Sequence, residues 1–459
     1  MLRNLVSEHA STGSMLWGAE QSVALSDLGA ATSLDCRERD ISGRSVVIFA
    51  DDQLSAALAL IELDGTARRM VICPPDLDPS QLPRIIVDAE ADAIVIGRDQ
   101  HLSADFPGLA IIRCGLPLAP RVEKASEAFS TEWCLLTSGT SGPPKIVAHT
   151  LDSLSGPIRG DASVAAPATW ATFFDIRRYG GLQAFLRAII GGCSLDLSRP
   201  HESVADHLQR VAALGVTHMN GTPSHWRRAL MTPDVRSFRP VYVRMSGEIA
   251  DQALLDGMRR QFPLVTMVNV YGSTEAGVAF EVRDGREGFP MSVVESGGDV
   301  EVRVVDGEIR VRSDRTAMRY LGLAAPQLRD DDGFVSTRDM VERRGERCYF
   351  VGRRDGVINV GGLKVHPEEV EALINGHDQV RASQVKGRAN PITGKIVVAE
   401  IVLKSVSVDK NGDEQVTAIK EEILAMCRDR LPSHKVPATI RVVQTLEMSA
   451  GGKLVRRNA

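Results

Sequence analysis

The 459-residue sequence lacks the features that mark several protein classes. It has seven cysteines but no C-x-x-C pair, so neither a disulfide framework nor a zinc site is expected, and scattered thiols are typical of a reducing cytosol. The 54 basic residues are outnumbered by 59 acidic ones, and a formal net charge of -5 offers no basic field for nucleic acid. No apolar run reaches the length of a membrane span, and the N-terminal residues contain no apolar export signal. We therefore expect a cytoplasmic protein that binds neither nucleic acid nor membrane.

Length and periodicity predict an α/β protein with more than one domain. A chain of 459 residues exceeds the size that one hydrophobic core usually serves. Short apolar runs at Ser45 to Ala50, Arg69 to Cys73 and Ala91 to Gly97, with a helical segment from Ser55 to Glu62, are typical of a parallel sheet covered by helices on both faces. A second set of alternating strands and helices extends from Ala171 to Ala279.

The C-terminal half has a different pattern. Strict alternation from Asp299 to Arg312, interrupted by Asp306-Gly307, predicts a β-hairpin in a small barrel-like β region. After Asp355 the periodicity favours a compact α+β unit. Its predicted elements are a helix from Glu368 to Ile374, a strand from Val397 to Leu403, a helix from Val416 to Arg430 and a strand from Thr439 to Val443.

A segment rich in hydroxyl groups and glycine, ending at Lys145, predicts a phosphate-binding loop after the apolar run from Trp133 to Leu136. Glycines let backbone N–H groups converge on an anion, hydroxyls add donors, and the lysine adds a positive charge. Two prolines before Lys145 exclude the loop in which lysine directly follows glycine, and by itself the segment also suits a solvated turn. The predicted phosphate contacts are Thr137, Ser138, Gly139, Thr140, Ser141, Gly142 and Lys145.

This loop and further segments in the same order resemble the signature of the acyl-adenylate-forming (AMP-binding) superfamily, which includes acyl-CoA synthetases. The resemblance covers the chain from roughly Ser45 to its end. It implies a large N-terminal domain of layered α/β subdomains, residues 1–354, and a small mobile α+β domain, residues 355–459, with the hinge at Asp355. The other segments are Asn269 to Gly277, Ser336 to Asp339, Tyr349 to Asp355, Gly361 to Glu371 and Gly451 to Arg456.

The resemblance implies three catalytic residues. Glu275 is the implied magnesium ligand, because a hard cation prefers carboxylate oxygen, and Thr274 is implied to donate to the α-phosphate of ATP. Lys453, presented by a glycine-rich turn, is implied to bridge the substrate carboxylate and the α-phosphate in the first half-reaction. Gly451 stands where the family usually has serine, and this change is expected to be tolerated.

The resemblance also implies a nucleoside site. Tyr271 is expected to lie against adenine, and Asp339 to accept hydrogen bonds from the ribose hydroxyls with support from Arg353. Arg338 stands where the family usually has glycine, so the local backbone is expected to differ. The other implied contacts to the nucleotide are Gly247, Glu248, Asn269 and Gly272.

A second face of the small domain is implied to serve a thiol acceptor. Rotation at Asp355 would exchange Lys453 for Gly361, where the absence of a Cβ leaves room for a pantetheine arm, and Lys364 would contact phosphate. The form of this segment is closer to acyl-CoA synthetases than to amino-acid adenylation domains.

The identity of the acid stays open. Gly272 replaces the tryptophan of acetate-activating relatives, which leaves room for a larger acid. Phe174-Asp175 resembles the start of the segment that holds an α-ammonium group, whereas Arg177 and Arg178 favour an anionic partner or are simply solvated. The implied substrate contacts are Phe174, Asp175, Gly181, Asn220, Ala276 and Gly277.

Three functional hypotheses follow. The first is an AMP-forming acid:CoA ligase that uses ATP, Mg²⁺ and CoA. The second is a ligase that loads an acid onto the phosphopantetheine of a separate carrier protein. The third is a non-catalytic binder of acyl nucleotides, which Glu275 and Lys453 argue against.

Overall fold

Strands and helices alternate along most of the chain in the computed structural model. It describes residues 1–10, 13–36, 38–102, 105–121, 128–137, 144–158, 168–391, 394–404 and 412–447. The α/β prediction is confirmed: large sheets are covered by helices, a smaller antiparallel sheet follows them, and an α+β region lies at the C-terminal end.

Several helices begin at residues whose side chains cap free backbone N–H groups. The side chains of Asp52, Ser203 and Asp251 each accept a hydrogen bond from the third following residue, and Thr222 does so at a helix that also has proline at its first position. No helix of the described ranges has both the length and the apolarity to cross a membrane. The helices are α1 (Leu2–His9), α2 (Glu38–Ile41), α3 (Gln53–Leu63), α4 (Leu82–Asp88), α5 (Leu151–Ser155), α6 (Tyr179–Ile190), α7 (Val204–Ala213), α8 (Pro223–Leu230), α9 (Gln252–Gln261), α10 (Ser292–Glu295), α11 (Pro367–Asn375) and α12 (Gly412–Arg430).

The strands fall into four sheets across the described residues. They are β1 (Met15–Trp17), β2 (Ser22–Ala24), β3 (Ala31–Leu34), β4 (Ser45–Ile48), β5 (Arg69–Ile72), β6 (Ala93–Gly97), β7 (Ala110–Pro120), β8 (Glu132–Thr137), β9 (Lys145–Thr150), β10 (Thr169–Thr172), β11 (Ser194–Asp196), β12 (His218–Gly221), β13 (Tyr242–Ser246), β14 (Thr266–Ser273), β15 (Gly277–Val282), β16 (Phe289–Pro290), β17 (Val300–Val305), β18 (Glu308–Ser313), β19 (Arg319–Leu321), β20 (Val335–Arg344), β21 (Arg347–Arg353), β22 (Ile358–Val360), β23 (Leu363–Val365), β24 (Val380–Asn390), β25 (Gly394–Leu403) and β26 (Thr439–Val442).

The first large sheet has the order β15-β14-β13-β12-β10-β11-β1-β2. Its central strands, from β14 to β11, run parallel. Because parallel strands end at the same edge of a sheet, the C-terminal ends of β12, β13 and β14 meet there, and ligands usually bind outside this edge. Asn220, Ser246 and the predicted nucleotide segment after Asn269 lie at these strand ends.

The second large sheet has the order β19-β9-β8-β5-β4-β6-β7-β3. Strands β8 and β9 form an antiparallel pair in which Thr137 lies opposite Lys145, so the predicted phosphate loop joins two neighbouring strands. One hydrophobic cluster contains residues of α3 and α6 together with strands of both large sheets, so the two sheets share a core.

The predicted hairpin is confirmed as β17 and β18 of the five-stranded sheet, which has the order β16-β21-β20-β18-β17. Asp306 and Gly307 have φ values of 51° and 76°, which is the two-residue turn that matches the twist of the strands.

The C-terminal region has a core of its own, built from α11, α12 and the sheet of β22 to β26. The predicted helices and strands are present here with bounds that differ by a few residues. The sequence prediction missed β24 (Val380–Asn390), whose polar residues give no clear apolar alternation although it pairs along its whole length with β25.

The N-terminal segment joins both large sheets, with β1 and β2 on one and β3 on the other. Asp64 fixes this segment, because its carboxylate accepts hydrogen bonds from the backbone N–H of Leu2 at 2.7 Å and from Nε1–H of Trp133 at 2.9 Å. The carboxylate is buried, and burial raises the pKa of Asp64.

Replacing Asp64 should therefore weaken the shared core. In Asp64→Ala two buried N–H groups lose their acceptor, and we expect the free energy of unfolding to fall by about 2–3 kcal/mol. Exposed Asp99 offers a control, since Asp99→Ala should change it by less than about 0.5 kcal/mol. Urea unfolding followed by tryptophan fluorescence measures both, and equal midpoints for the two variants would contradict the assignment.

Candidate active site

The turn between β14 and β15 carries Thr274 and Glu275, and backbone packing fixes its shape. A Cβ on Gly272 would lie 2.5 Å from the carbonyl oxygen of Gly277, and a Cβ on Gly277 would lie 2.2 Å from that of Arg315. Gly277 also has a φ of 69°, which other residues rarely adopt. The side chain of Ser273 accepts a hydrogen bond from the backbone N–H of Ala276. Ala276 is fully buried. Thr274 and Glu275 thus lie in a tight, glycine-dependent turn.

Tyr320 connects two of the predicted nucleotide contacts. The ammonium group of Lys145 lies 5.1 Å from the centre of the Tyr320 ring, and the hydroxyl of Tyr320 lies 3.4 Å from Oε1 of Glu275. Burial, and next the charge of Glu275, raise the pKa of Tyr320. Within the described ranges neither Lys145 nor Glu275 has an ion-pair partner. The structure thus brings together a cation and an anion that the sequence separates by 130 residues.

The residues around Glu275 fit a magnesium ion that is mainly held by a substrate. Magnesium usually takes one or two protein carboxylates together with phosphate oxygens and water. The described residues contain no group of three or more histidine, cysteine, aspartate or glutamate side chains that could hold a metal alone. A single carboxylate beside a predicted phosphate loop meets this requirement.

Tyr271 and Asp339, two of the predicted nucleoside contacts, are joined by a hydrogen bond. The Tyr271 hydroxyl donates to Oδ2 of Asp339 at 2.8 Å, and Nε of Arg353 lies 3.6 Å from Oδ1 of the same carboxylate. Burial, and next the charge of Asp339, hold the pKa of Tyr271 well above its usual value. The Tyr271 ring packs against Phe280 and Phe350, each with its ring centre 5.0 Å away. The structure therefore assembles these three predicted contacts in one place.

Other predicted nucleotide contacts lie at the ends of β13 and β14. Gly247 follows β13 with a φ of 84°, and the carboxylate of Glu248 accepts a hydrogen bond from the backbone N–H of Ser224 at the start of α8. Oδ1 of Asn269 is buried and has no hydrogen-bond partner among the described residues. This orphaned acceptor is available to a ligand.

The predicted acid-binding segment before α6 is held by internal ion pairs. Asp175 pairs with the guanidinium of Arg177 through both carboxylate oxygens, at 2.8 Å and 2.7 Å, and Arg177 also donates to the carbonyl oxygen of Ala50. Arg178 pairs with Asp76. Gly181 permits this folding, because a Cβ there would lie 2.1 Å from the carbonyl oxygen of Asp175. These charges compensate one another, so the arrangement favours neither the ammonium-binding nor the anion-binding interpretation.

Aromatic rings surround the end of β12, where Asn220 was predicted to contact the acid. Phe173 stacks on His225 with ring centres 4.8 Å apart, and Phe174 meets His225 edge-on. Burial lowers the pKa of His225 to about 3, so this imidazole is neutral. Oδ1 of Asn220, whose side chain is buried, has no partner in the described structure. The surroundings suit a flat, apolar group.

An ion pair connects the predicted hinge to the ribose segment. Asp355 pairs with Nη1 of Arg338 at 2.9 Å, and both side chains are exposed. Arg338 has a φ of 61°, so this chain adopts a left-handed backbone with a non-glycine residue where the family usually has glycine. The backbone at Arg338 is therefore strained, whereas a glycine would adopt the same φ without strain.

Gly361 and Gly362 form the tip of a hairpin between β22 and β23. Their φ values are 57° and 88°, and the side chain of Asn359 accepts a hydrogen bond from the backbone N–H of Gly362. Lys364 follows on the exposed face of β23. The glycines present a thin edge of backbone.

Several predicted residues lie outside the described part of the chain. They are Ser138, Gly139, Thr140, Ser141, Gly142 and Lys453. Their roles, like those of the other predicted site residues, remain predictions.

Sequence reasoning missed the side chains that hold the predicted contacts in place. Tyr320 and Phe280 lie in none of the segments that resemble the family, and Phe350 lies in the segment from Tyr349 to Asp355 but was given no role. Their roles depend on contacts over long separations, such as the 45 residues between Tyr320 and Glu275.

Two variants at Arg338 should separate backbone strain from the ion pair. Both Arg338→Ala and Arg338→Gly remove the contact to Asp355, but only glycine relieves the left-handed φ. We expect the glycine variant to be more stable than the alanine variant by about 1 kcal/mol, while the exposed pair contributes at most about 1 kcal/mol. Chemical unfolding followed by circular dichroism tests this, and equal stability of the two variants would show that the position is unstrained.

Two family models match most of the chain. The family model of AMP-binding enzymes matches residues 42–321, and the model of the AMP-binding enzyme C-terminal domain matches residues 369–453. A 2-succinylbenzoate--CoA ligase from Bacillus velezensis is 27% identical over 351 residues, which cover 71% of this chain and 68% of the relative. Other curated relatives align over 47% to 86% of their own length.

Solved structures share the fold over nearly the whole chain. An anthranilate CoA ligase in complex with anthranoyl-AMP matches with a TM-score of 0.82 and 17% identity over 99% of this chain and 95% of its own. An o-succinylbenzoate coenzyme A synthetase from Bacillus subtilis, in complex with ATP and a magnesium ion, matches with a TM-score of 0.76 and 20% identity over 99% and 97%. The first family model alone spans more than half of the sequence, and the chain therefore belongs to the AMP-binding enzyme family.

Proposed function

We propose that this protein is an AMP-forming acid:CoA ligase. The observation that carries the proposal is that Lys145 contacts the ring of Tyr320 and Glu275 contacts its hydroxyl, beside a glycine-dependent turn. Opposite charges without ion-pair partners in the described structure suit a substrate that is a polyanion bound together with a cation, as ATP is with magnesium. Membership of the AMP-binding family supports the same conclusion.

The chemistry explains why such charges are needed. A carboxylate is a poor acyl donor, because the group it would have to expel is oxide. In the proposed reaction the carboxylate attacks the α-phosphorus of ATP, a bond forms between carboxylate oxygen and phosphorus, and pyrophosphate leaves. Both reactants are anions and negative charge gathers on the phosphate oxygens, so positioned cations supply most of the stabilisation.

Each predicted residue has a role in this step. Lys145 and the preceding loop would hold the triphosphate, Glu275 would hold magnesium, and Thr274 would donate to the α-phosphate. Asp339, oriented by Tyr271, would accept from the ribose hydroxyls. Lys453 would bridge the two reacting anions.

In the second step the thiol of CoA would attack the acyl carbonyl carbon and expel AMP. The Gly361-Gly362 hairpin has the thin backbone edge that a pantetheine arm requires. CoA is the proposed acceptor because the relatives compared above are named as CoA ligases. A carrier protein as acceptor is the alternative.

An aromatic carboxylic acid is the proposed substrate class. The ring contacts among Phe173, Phe174 and His225 suit a flat group, and the three proteins named above are named for benzoate-type acids. None of the seven cysteines forms a disulfide bond in the described structure, which supports the proposed cytosolic location.

Pyrophosphate release with a panel of acids tests the proposal. Aromatic acids should give the highest rates with ATP and magnesium, ahead of medium-chain and short-chain acids. Glu275→Gln should lower the rate at least tenfold at ordinary magnesium concentration while leaving the fold intact, because an amide is a weaker magnesium ligand than a carboxylate.

The acceptor is tested by comparing CoA with a holo carrier protein after adenylation. Pyrophosphate release without any acid dependence would contradict the ligase proposal. A wild-type rate in Glu275→Gln would contradict the assignment of the metal ligand alone.

Two variants should separate the half-reactions. Lys453→Ala should nearly abolish adenylate formation yet still convert a synthetic acyl-adenylate and CoA to the thioester, since that step does not need the ammonium group. Gly361→Leu should preserve pyrophosphate release and block thioester formation, because the added side chain obstructs the pantetheine path. Each variant is assayed in both half-reactions, and equal loss of both steps in a folded Lys453→Ala protein would refute the alternation of the two faces.

A further inference from the structure

His149 is a buried polar residue on β9 that none of the predicted roles includes. Its side chain has no exposed surface. Its Nε2 lies 2.6 Å from the carbonyl oxygen of Thr274, a residue 125 positions later in the chain. β9 begins at Lys145 in the second large sheet, whereas Thr274 follows β14 of the first large sheet. This hydrogen bond therefore joins the strand after the predicted phosphate loop to the turn that carries the predicted metal ligand.

The protonation state of His149 follows from its surroundings. Burial lowers the pKa of His149 to about 4, so the ring is neutral and carries one proton. A backbone carbonyl oxygen only accepts hydrogen bonds, so the proton is on Nε2. Nδ1 is then an acceptor that lies 2.9 Å from the hydroxyl of Ser153, and this hydroxyl also lies 3.0 Å from the carbonyl oxygen of Thr150, which competes for its proton. The carbonyl oxygen of Thr274 thus fixes the tautomer, and Ser153 is a hydrogen-bond partner for the opposite ring nitrogen.

The next carbonyl of the turn is also held from the second large sheet. The carbonyl oxygen of Glu275 accepts a hydrogen bond from the backbone N–H of Ala317 at 2.9 Å. The following residue, Met318, donates to the carbonyl oxygen of Ala148, directly before His149. Two successive carbonyls of the turn are thus fixed by neighbouring parts of β9 and the segment that leads into β19. When both carbonyls are fixed, the peptide plane between Thr274 and Glu275 is fixed too.

Tyr179 at the start of α6 completes the surroundings, with its ring centre 6.0 Å from that of His149. A leucine could fill this space without placing a polar group in the core. A buried imidazole has to be hydrogen-bonded to offset the loss of water, so its presence indicates that a directed donor is required.

We propose that His149 is a positioning residue that keeps Thr274 and Glu275 in register with the phosphate loop ending at Lys145. It acts through the carbonyl of Thr274 and touches no substrate. The inference rests on the proposed function for its chemistry, since the turn is taken to bind the α-phosphate and magnesium. Its predicted effect is on the binding of magnesium and ATP, and the acid should be bound as before.

Two substitutions test the donor itself. His149→Gln keeps an N–H at a reach close to that of Nε2, whereas His149→Leu has a similar volume and no donor. We expect His149→Leu to raise KM for ATP and the magnesium concentration for half-maximal rate at least tenfold, with KM for the acid changed less than twofold. His149→Gln should restore both values to within about threefold of wild type. Ser153→Ala, which removes the hydrogen-bond partner of Nδ1, should give a smaller rise in KM for ATP.

Calorimetric titration with ATP and magnesium, in the absence of acid, gives a second readout that needs no turnover. Thermal unfolding of every variant shows whether it is folded. Tenfold weaker binding in His149→Leu with recovery in His149→Gln supports the proposal. Equal losses in both variants, or wild-type binding in His149→Leu, overturn it. If the wild-type protein binds ATP but forms no adenylate with any acid, the proposed function fails while the positioning role is still decided by the titration.

Discussion

Close approach of backbone to backbone in the turn between β14 and β15 is the constraint on which the site depends. Gly272 and Gly277 have no room for a Cβ, and the chain can pass Arg315 only because of this. The approach brings Thr274 and Glu275 within hydrogen-bonding reach of β9 and of the segment before β19. Two large sheets, each with its own set of parallel strands, are thereby joined where the predicted triphosphate and metal contacts meet.

The charged side chains before α6 are paired with one another, whereas Lys145 is not paired with a carboxylate in the described structure. Asp175 with Arg177, and Arg178 with Asp76, form pairs that leave the start of α6 close to neutral. Lys145, in contrast, faces the ring of Tyr320 and has no carboxylate within ion-pair distance in the described structure. Lys145 is exposed, and a cation that no protein carboxylate neutralises attracts an anionic ligand. The positive charge is thus concentrated beside the loop that was predicted to bind phosphate.

Local patterns in the sequence were sufficient for the fold class and for the family. The Asp306-Gly307 hairpin and the helix near Ser55 follow from turn chemistry and apolar periodicity, and the structure has both. Strand β24 was missed because its stability comes from pairing with β25, and its own residues are largely polar.

The features of the site that the sequence did not predict depend on contacts between residues far apart in the chain. The glycine replaced by Arg338 suggested a changed backbone, but only the structure gives the left-handed φ and the pairing with Asp355. Tyr320 and His149 could not be identified as site residues, because each acts on a partner far away in the chain. Motifs identify the residues predicted to meet substrate, whereas the residues that orient them are determined by tertiary packing.

The separate core of the C-terminal region has a consequence for spectroscopy. All four tryptophans, Trp17, Trp133, Trp170 and Trp226, precede Asp355, and three of them are fully buried in the cores of the first two sheets. Tryptophan fluorescence therefore reports the unfolding of the large sheets. It does not report the unfolding of the core formed by α11, α12 and β25, which contains no tryptophan. A melting curve recorded by fluorescence follows the large sheets alone, whereas one recorded by far-ultraviolet dichroism follows the helices and strands of both regions, so their midpoints need not coincide.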